Sequence, residues 1–171
     1  MKVTMTLKCW IQGLCQAATD AGLPASRMPK PLQMPLLVAQ SLALLAARLF
    51  VAKAFFWSGL TKLRDWDTTL ALFQDEYQVP LLPAEWAAWA GTGGELVLPV
   101  LLALGLGGRF AAAGLFVLNA VAVLSLADIA PAALIQHQLW GVLALAVWLW
   151  GPGRLSLDAL LWRAPPLTRS A

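Results

Sequence analysis

Four stretches of this 171-residue chain are long and apolar enough to cross a lipid bilayer as helices. They run from about Leu36 to Leu60, Ala84 to Leu104, Phe110 to Ala127, and Pro131 or Ala132 to Trp150. A bilayer core of about 30 Å needs about 20 predominantly apolar residues per helix. The composition agrees, because 60% of the residues are hydrophobic and only 12% are charged, too few to wet the surface of a soluble domain. We therefore predict an all-α membrane protein.

The connections between these stretches predict the topology. The second and third stretches are joined by a short, glycine-rich turn, Gly105 to Arg109, which permits only an antiparallel hairpin. The longer connection, residues 61–83, is predicted to be a surface element. We expect an antiparallel up-down four-transmembrane-helix bundle over residues 36–162, followed by a cytoplasmic tail over 163–171.

The first 35 residues are predicted to form a cytoplasmic segment that precedes the bundle. Apolar residues there recur with the period of one helical face: Leu7, Trp10, Ile11, Leu14 and Ala18. This pattern predicts a short amphipathic helix at the membrane interface. Four prolines between Pro24 and Pro35 then predict an extended linker. Cys9 and Cys15 match no metal or redox spacing and are predicted to be free thiols.

The distribution of Lys and Arg predicts the orientation of the bundle. Eight of these residues fall in the two termini and in the turn at Arg109, whereas the opposite side holds only Lys62 and Arg64. Positive charge is retained in the cytoplasm, so we predict that both termini are cytoplasmic. The basic residues form no stripe with interleaved aromatics, which argues against nucleic acid as a partner and leaves membrane lipid.

Two charged residues lie deep within the predicted spans. Arg48 lies about 18 Å below the outer end of the first span, and Glu95 about 16 Å below that of the second. Each charge would be costly in hydrocarbon without a partner. We therefore predict an Arg48–Glu95 ion pair between the first two helices.

A second polar layer is predicted nearer the outer surface, where Lys53, His137 and Asn119 lie about 9–12 Å inside their spans. These residues are expected to form a small cationic pocket that suits a quinone head group or a small anion. Its predicted wall is aromatic: Phe55, Phe56, Trp57 and Trp140. In alternative readings Lys53 reaches toward Glu85 or water, His137 bonds to a neighbouring helix, and Trp140 is a packing residue. No metal site is predicted, because the acidic residues of the 61–83 loop lack a calcium-loop pattern.

Three segments resemble the DoxX family of small four-span bacterial membrane proteins. They are Ala-Phe-Phe-Trp-Ser-Gly-Leu-Thr-Lys-Leu (54–63), Glu-Leu-Val-Leu-Pro-Val-Leu-Leu-Ala-Leu-Gly-Leu-Gly-Gly-Arg (95–109) and Gly-Pro-Gly-Arg-Leu-Ser-Leu-Asp (151–158). The resemblance covers roughly Leu42 to Leu161 and implies the bacterial inner membrane. The family takes its name from a subunit of thiosulfate:quinone oxidoreductase, and other members resemble membrane anchors of complexes that handle thiols or oxidative stress. The resemblance therefore implies quinone as the candidate cofactor and a protein partner subunit.

Three functions are consistent with these observations. The leading hypothesis is a membrane subunit or anchor of an oxidoreductase system that binds quinone or docks a redox partner. In it Arg48, Lys53, Glu95 and His137 shape the intramembrane site, and no catalytic residue is assigned. The alternatives are a small-solute or ion transporter subunit and a non-catalytic assembly factor.

Overall fold

The computed structural model describes residues 30–77, 79 and 81–161, and within them the protein is a bundle of helices. The predicted amphipathic helix of the first 35 residues, with Cys9 and Cys15, and the predicted tail over 163–171 lie outside the described residues, apart from the last part of the linker. The elements are α1 (Lys30–Arg64), α2 (Trp66–Asp75), α3 (Ala84–Leu104), α4 (Gly108–Ser125), α5 (Pro131–Trp150) and α6 (Leu157–Leu161). Four of them, α1, α3, α4 and α5, are long and apolar enough to cross a membrane. The protein is thus an all-α membrane protein, as predicted.

The ends of α1 differ from the prediction. The helix begins at Lys30 rather than Leu36, because Pro31 lies in the first turn, where a backbone N–H has no acceptor in any case. It also continues past Leu60 to Arg64, because residues 61–64 contain no glycine or proline to end it. Asp65 then caps the start of the next helix. The extended linker is therefore wrong from Lys30 to Pro35, and the first span is longer than predicted.

The antiparallel register of α1 and α3 fixes which residues share a depth. Gly59 lies directly against α3, where an added Cβ would be 3.2 Å from the Cβ of Glu95. Arg48 lies further along, against Gly105 at the end of α3. Leu44 packs on Gly153, so the part of α1 before it extends about 20 Å beyond the turn between α3 and α4.

The core of the bundle is small and tightly packed. Val51 and Phe55 of α1 pack with Leu102 of α3 and Leu115 of α4, and Val147 of α5 completes the cluster. Alanines at 111 and 112 are also fully buried and allow α4 to approach its neighbours closely. We call the end of the bundle near Gly105 the Arg48 end, and the opposite end, which carries α2, the α2 end.

α2 is a short surface helix that covers the α2 end. Asp65 begins it and accepts a hydrogen bond from the backbone N–H of Thr68 at 3.1 Å, and hydrogen bonds from Thr68 lower the pKa of the Asp65 carboxyl. Phe73 packs on Ala87 and Ala88 of α3. The Thr69 hydroxyl donates to the carbonyl of Lys62 at 3.0 Å. These contacts hold α2 against the ends of α1 and α3.

Candidate functional site

The structure separates the two charges that were predicted to pair. Glu95 lies level with Gly59, and Arg48 lies against Gly105. Gly59 and Arg48 are eleven residues, or about 16 Å, apart along α1. The predicted Arg48–Glu95 ion pair is therefore wrong. The depth estimate takes Leu60 and Ala84 to lie at one level. In the structure α1 continues four residues past Leu60, and α3 begins about 9 Å beyond the end of α1, so the two depths are not comparable.

Glu95 pairs instead with Lys62, near the middle of α3. The Nζ atom of Lys62 lies 2.5 Å from Oε2 of Glu95, and the side chains are only 20% and 13% exposed. The same Nζ donates to the hydroxyl of Ser58 at 3.0 Å, one turn back along α1. Lys62 therefore reaches back from the end of α1 into the bundle and brings a cation to the carboxylate of α3.

His137 and Asn119 form a second pair, which joins α5 to α4. Nδ1 of His137 and Oδ1 of Asn119 are 2.8 Å apart, and Nδ2 of Asn119 donates to the carbonyl of His137 at 2.9 Å. Asn119 is buried. The interpretation in which His137 bonds to a neighbouring helix is thus confirmed, and Asn119 fixes the direction of the imidazole.

The two pairs lie at one level of the bundle. Gly94 packs against Leu118, and these two residues adjoin Glu95 and Asn119 in the sequence. Tyr77, in the loop after α2, packs on Phe73, which lies against Gly91, one turn before Glu95. We call Lys62, Glu95, Tyr77, His137 and Asn119 the polar cluster. It contains a cation, a carboxylate, an imidazole and a phenol, a set of groups that can donate hydrogen bonds, accept them and exchange protons.

Tyr77 is held in place by a contact of its ring and by a bridge of its backbone. Its ring centroid lies 4.9 Å from that of Phe73, and its backbone forms an isolated antiparallel bridge with Leu126 at the end of α4. Burial raises the pKa of the Tyr77 hydroxyl, and the negative charges of Glu95 and Glu76 raise it further. The phenol therefore stays protonated at neutral pH and is a hydrogen-bond donor at the α2 end.

Only half of the predicted aromatic wall adjoins the polar cluster. Trp140 packs edge-on against His137, with ring centroids 5.1 Å apart, and against the buried ring of Phe55 at 5.7 Å. Phe56 and Trp57 are exposed on the other side of α1. Lys53 is exposed as well, and the described residues give it no hydrogen bond or ion pair. The predicted pocket of Lys53, His137 and Asn119 is therefore wrong, because His137 and Asn119 bond to each other while Lys53 is exposed.

Arg48 lies apart from the polar cluster, at the end of the bundle near Gly105. Its side chain is fully buried, and Nη2 donates to the carbonyl of Leu155. Asp158 lies in the same segment as Leu155, and its carboxylate accepts the backbone N–H groups of Gly107 and Gly108, both at 2.9 Å. Nε and Nη1 of Arg48 have no hydrogen-bond partner within the described part of the chain. Arg48 thus fastens the segment after α5 to the bundle and belongs to no common site with Glu95.

Comparison with known proteins identifies the family. The sequence model of DoxX matches residues 43–128, which is half of the chain. The chain belongs to the DoxX family. The matched region contains Lys62, Glu95, Tyr77 and Asn119 of the polar cluster, whereas His137 and the Asp158 segment lie beyond it.

One curated relative extends this similarity. An uncharacterized protein of Haemophilus influenzae is 33% identical over 138 residues, which cover 75% of this DoxX chain and 89% of the relative. No solved structure matches the chain. The function of this chain must therefore be argued from its own polar residues.

Sequence reasoning missed Lys62 and Tyr77 of the polar cluster, and it missed Asp158 at the Arg48 end. Lys62 was assigned to the outer loop, although it follows Phe55 and Ser58 at the spacing of one helical face, which is a usable signal. Asp158 lies within one of the segments that carry the family resemblance. No local pattern marks Tyr77, because its position depends on a bridge to Leu126, 49 residues further along.

Proposed function

We propose that this DoxX protein is a membrane subunit of a quinone-linked oxidoreductase system and that the polar cluster binds the quinone head group. The observation that carries the proposal is the location of two polar pairs, Lys62–Glu95 and His137–Asn119, at one level of the membrane-spanning bundle. Ligand sites for small molecules are typically apolar cavities with a few convergent polar groups. The polar cluster, bordered by Phe55 and Trp140, has this composition.

The residues present fit a quinone by their chemistry. A quinone offers two carbonyl oxygens as hydrogen-bond acceptors and a flat ring, and when bound it supplies two-electron, two-proton redox chemistry. Lys62 and Tyr77 donate hydrogen bonds, and Trp140 presents an aromatic surface. The hydroxyl of Thr92, one turn from Glu95, is buried without a partner among the described residues and is a free donor for such an oxygen.

Each group of the polar cluster has a distinct role in this proposal. Lys62 places positive charge where a carbonyl oxygen is held, and Glu95 keeps that charge within the bundle. His137, oriented by Asn119, holds or passes a proton at its ring nitrogens. Tyr77 connects the polar cluster to the surface at the α2 end.

Binding of decyl-ubiquinone to the purified protein in nanodiscs tests this proposal. We expect saturable binding, and a roughly tenfold higher Kd for Lys62→Met and for His137→Leu, because each removes about one hydrogen bond to the ligand. Lys53→Ala is the matched control, since it removes an exposed cation outside the polar cluster, and its Kd should equal that of the wild type. Binding no greater than partition into empty nanodiscs, or equal Kd values for all four proteins, would exclude this function.

We further propose that the protein lies in the inner membrane with both termini in the cytoplasm, so that the polar cluster is nearer the periplasm. The acidic residues Asp65, Asp67, Asp75 and Glu76 gather at the α2 end, whereas Arg109 and Arg154 lie at the Arg48 end.

Cysteine labelling with a membrane-impermeant maleimide tests the orientation in cells with a permeabilised outer membrane. In a Cys9→Ser/Cys15→Ser background we expect Asp67→Cys to react in intact spheroplasts and Arg154→Cys to react only after lysis. The reverse pattern would place the termini outside.

A further inference from the structure

One face of α1 carries two hydrogen-bond donors that nothing in the described chain satisfies. Lys53 and Trp57 lie one turn apart on the exposed side of the helix, and Trp57 is 53% exposed. Neither the ammonium group nor the indole N–H has an acceptor among the described residues. Leu49, Phe50 and Phe56 complete this face, which we call the Lys53 face.

The depth of the Lys53 face makes these free donors unusual. Arg48 marks one end of the bundle, so Lys53 lies about 7 Å and Trp57 about 13 Å inside it. Arg64 ends α1 about 10 Å beyond Trp57 in the other direction. Trp57 thus lies near the middle of the spanning region, away from the interfaces where tryptophan normally keeps its N–H wet.

Lys53 differs from the other charges that lie well inside the described spans. Lys62 and Glu95 neutralise each other, and Arg48 is fully buried and donates to the carbonyl of Leu155. A second copy of the described bundle cannot supply a counter-charge either. The described spans contain two carboxylates, Glu85 and Glu95. Glu95 is already paired, and Glu85 lies in the first turn of α3, about 24 Å from the depth of Lys53. A symmetric contact would also place two Lys53 side chains together.

We propose that the Lys53 face binds a membrane-spanning helix of another protein, and that this helix carries an aspartate or glutamate at the depth of Lys53. Ionisable residues within a membrane pair with one another or face protein, because the unpaired charge is costly in hydrocarbon. The exposed positions 49, 50, 53, 56 and 57 recur with the spacing of a helix-packing seam. A carboxylate opposite them neutralises Lys53 and can also accept from Trp57.

A lipid phosphate fits the Lys53 face less well. Lys53 is close enough to the Arg48 end for its long side chain to reach a headgroup. Trp57 is not, because its indole lies a further turn into the bilayer, where acyl chains offer no acceptor. A partner helix accounts for both donors, whereas a headgroup accounts for one.

The test uses a synthetic apolar transmembrane helix of about 20 residues with one aspartate about five residues, or 7 Å, from one end, and a matched peptide with leucine there. The full-length protein, labelled at Arg154→Cys in a Cys9→Ser/Cys15→Ser background, is placed in phosphatidylcholine liposomes with either labelled peptide. Association is measured by energy transfer. We expect the aspartate peptide to associate roughly five- to thirtyfold more tightly than the leucine peptide.

Variants of the Lys53 face make the result specific. The preference for the aspartate peptide should vanish in Lys53→Met, persist in Lys53→Arg and weaken in Trp57→Phe. Arg64→Met, which removes an exposed cation at the end of α1, should keep the full preference. Equal association of the two peptides, or a preference that survives in Lys53→Met, would overturn the proposal. So would retention of phosphatidylglycerol that depends on Lys53 while the peptides bind equally, since that result identifies a lipid headgroup as the occupant.

Discussion

Replacing Gly105 with alanine should lower the free energy of unfolding by about 2 to 5 kcal/mol. Gly105 ends α3 with φ +67°, a left-handed conformation that costs a residue with a side chain about 1–2 kcal/mol. An added Cβ would also overlap Nη1 of Arg48 and Cβ of Ser156, and would lie 3.0 Å from Cα of Ser156. Such overpacking costs a further 1–3 kcal/mol or so.

Gly107→Ala is the matched control for this prediction. Gly107 has nearly the same conformation, φ +56°, but an added Cβ there meets nothing within 4 Å. We expect it to lose only the conformational part, about 1–2 kcal/mol. Unfolding in detergent by thermal or denaturant titration measures both variants. Equal losses would show that Arg48 and Ser156 move aside freely and that the packing at the Arg48 end is not tight.

Gly105 is tightly packed because it caps the C-terminal end of α3. The N–H of Leu106 donates to the carbonyl of Leu101, and that of Gly105 to Leu102, both at 3.0 Å, a closure that requires the left-handed residue. The N–H of Asp158 then donates to the carbonyl of Gly105, also at 3.0 Å. The turn therefore serves as the surface on which the segment after α5 folds back.

The spans were predictable from sequence because span length and apolar content are local properties. α3 matches its predicted bounds, and α5 runs from Pro131 to Trp150 as expected. The register between helices is not local. It depends on how the ends of neighbouring helices are offset. α1 runs about 6 Å past Leu60, and α3 begins about 9 Å beyond the end of α1, so depths counted from Leu60 and Ala84 assign Glu95 the wrong partner.

The candidate site shows the same difference between local properties, which the sequence predicts, and non-local ones, which it does not. His137, Asn119 and Glu95 stand out in sequence because polar residues within a span are costly, and all three belong to the polar cluster. Lys62 did not stand out, since a lysine near a span end needs no explanation. Its role depends on the side chain turning back toward Ser58 and Glu95.

Glu95→Leu should lower the free energy of unfolding by about 2 to 4 kcal/mol, because it leaves the Lys62 ammonium without a counter-charge inside the bundle. Removing one member of a buried pair costs about 3–5 kcal/mol, and the residual exposure of 20% and 13% reduces that loss. Lys62→Met should cost a similar amount for the same reason.

The double variant Lys62→Met/Glu95→Leu separates the pair from its two members. Replacing both charges with apolar side chains removes the unpaired ion, so the double variant should recover most of the stability and show a coupling energy of at least about 1–2 kcal/mol. Gln74→Leu, on exposed α2, is a control for added apolar surface. Additive losses would mean that Lys62 reaches water or lipid headgroups whenever Glu95 is absent. A stable double variant that no longer binds decyl-ubiquinone would assign the ion pair to the ligand site, since an interaction needed only for folding is restored by apolar replacement.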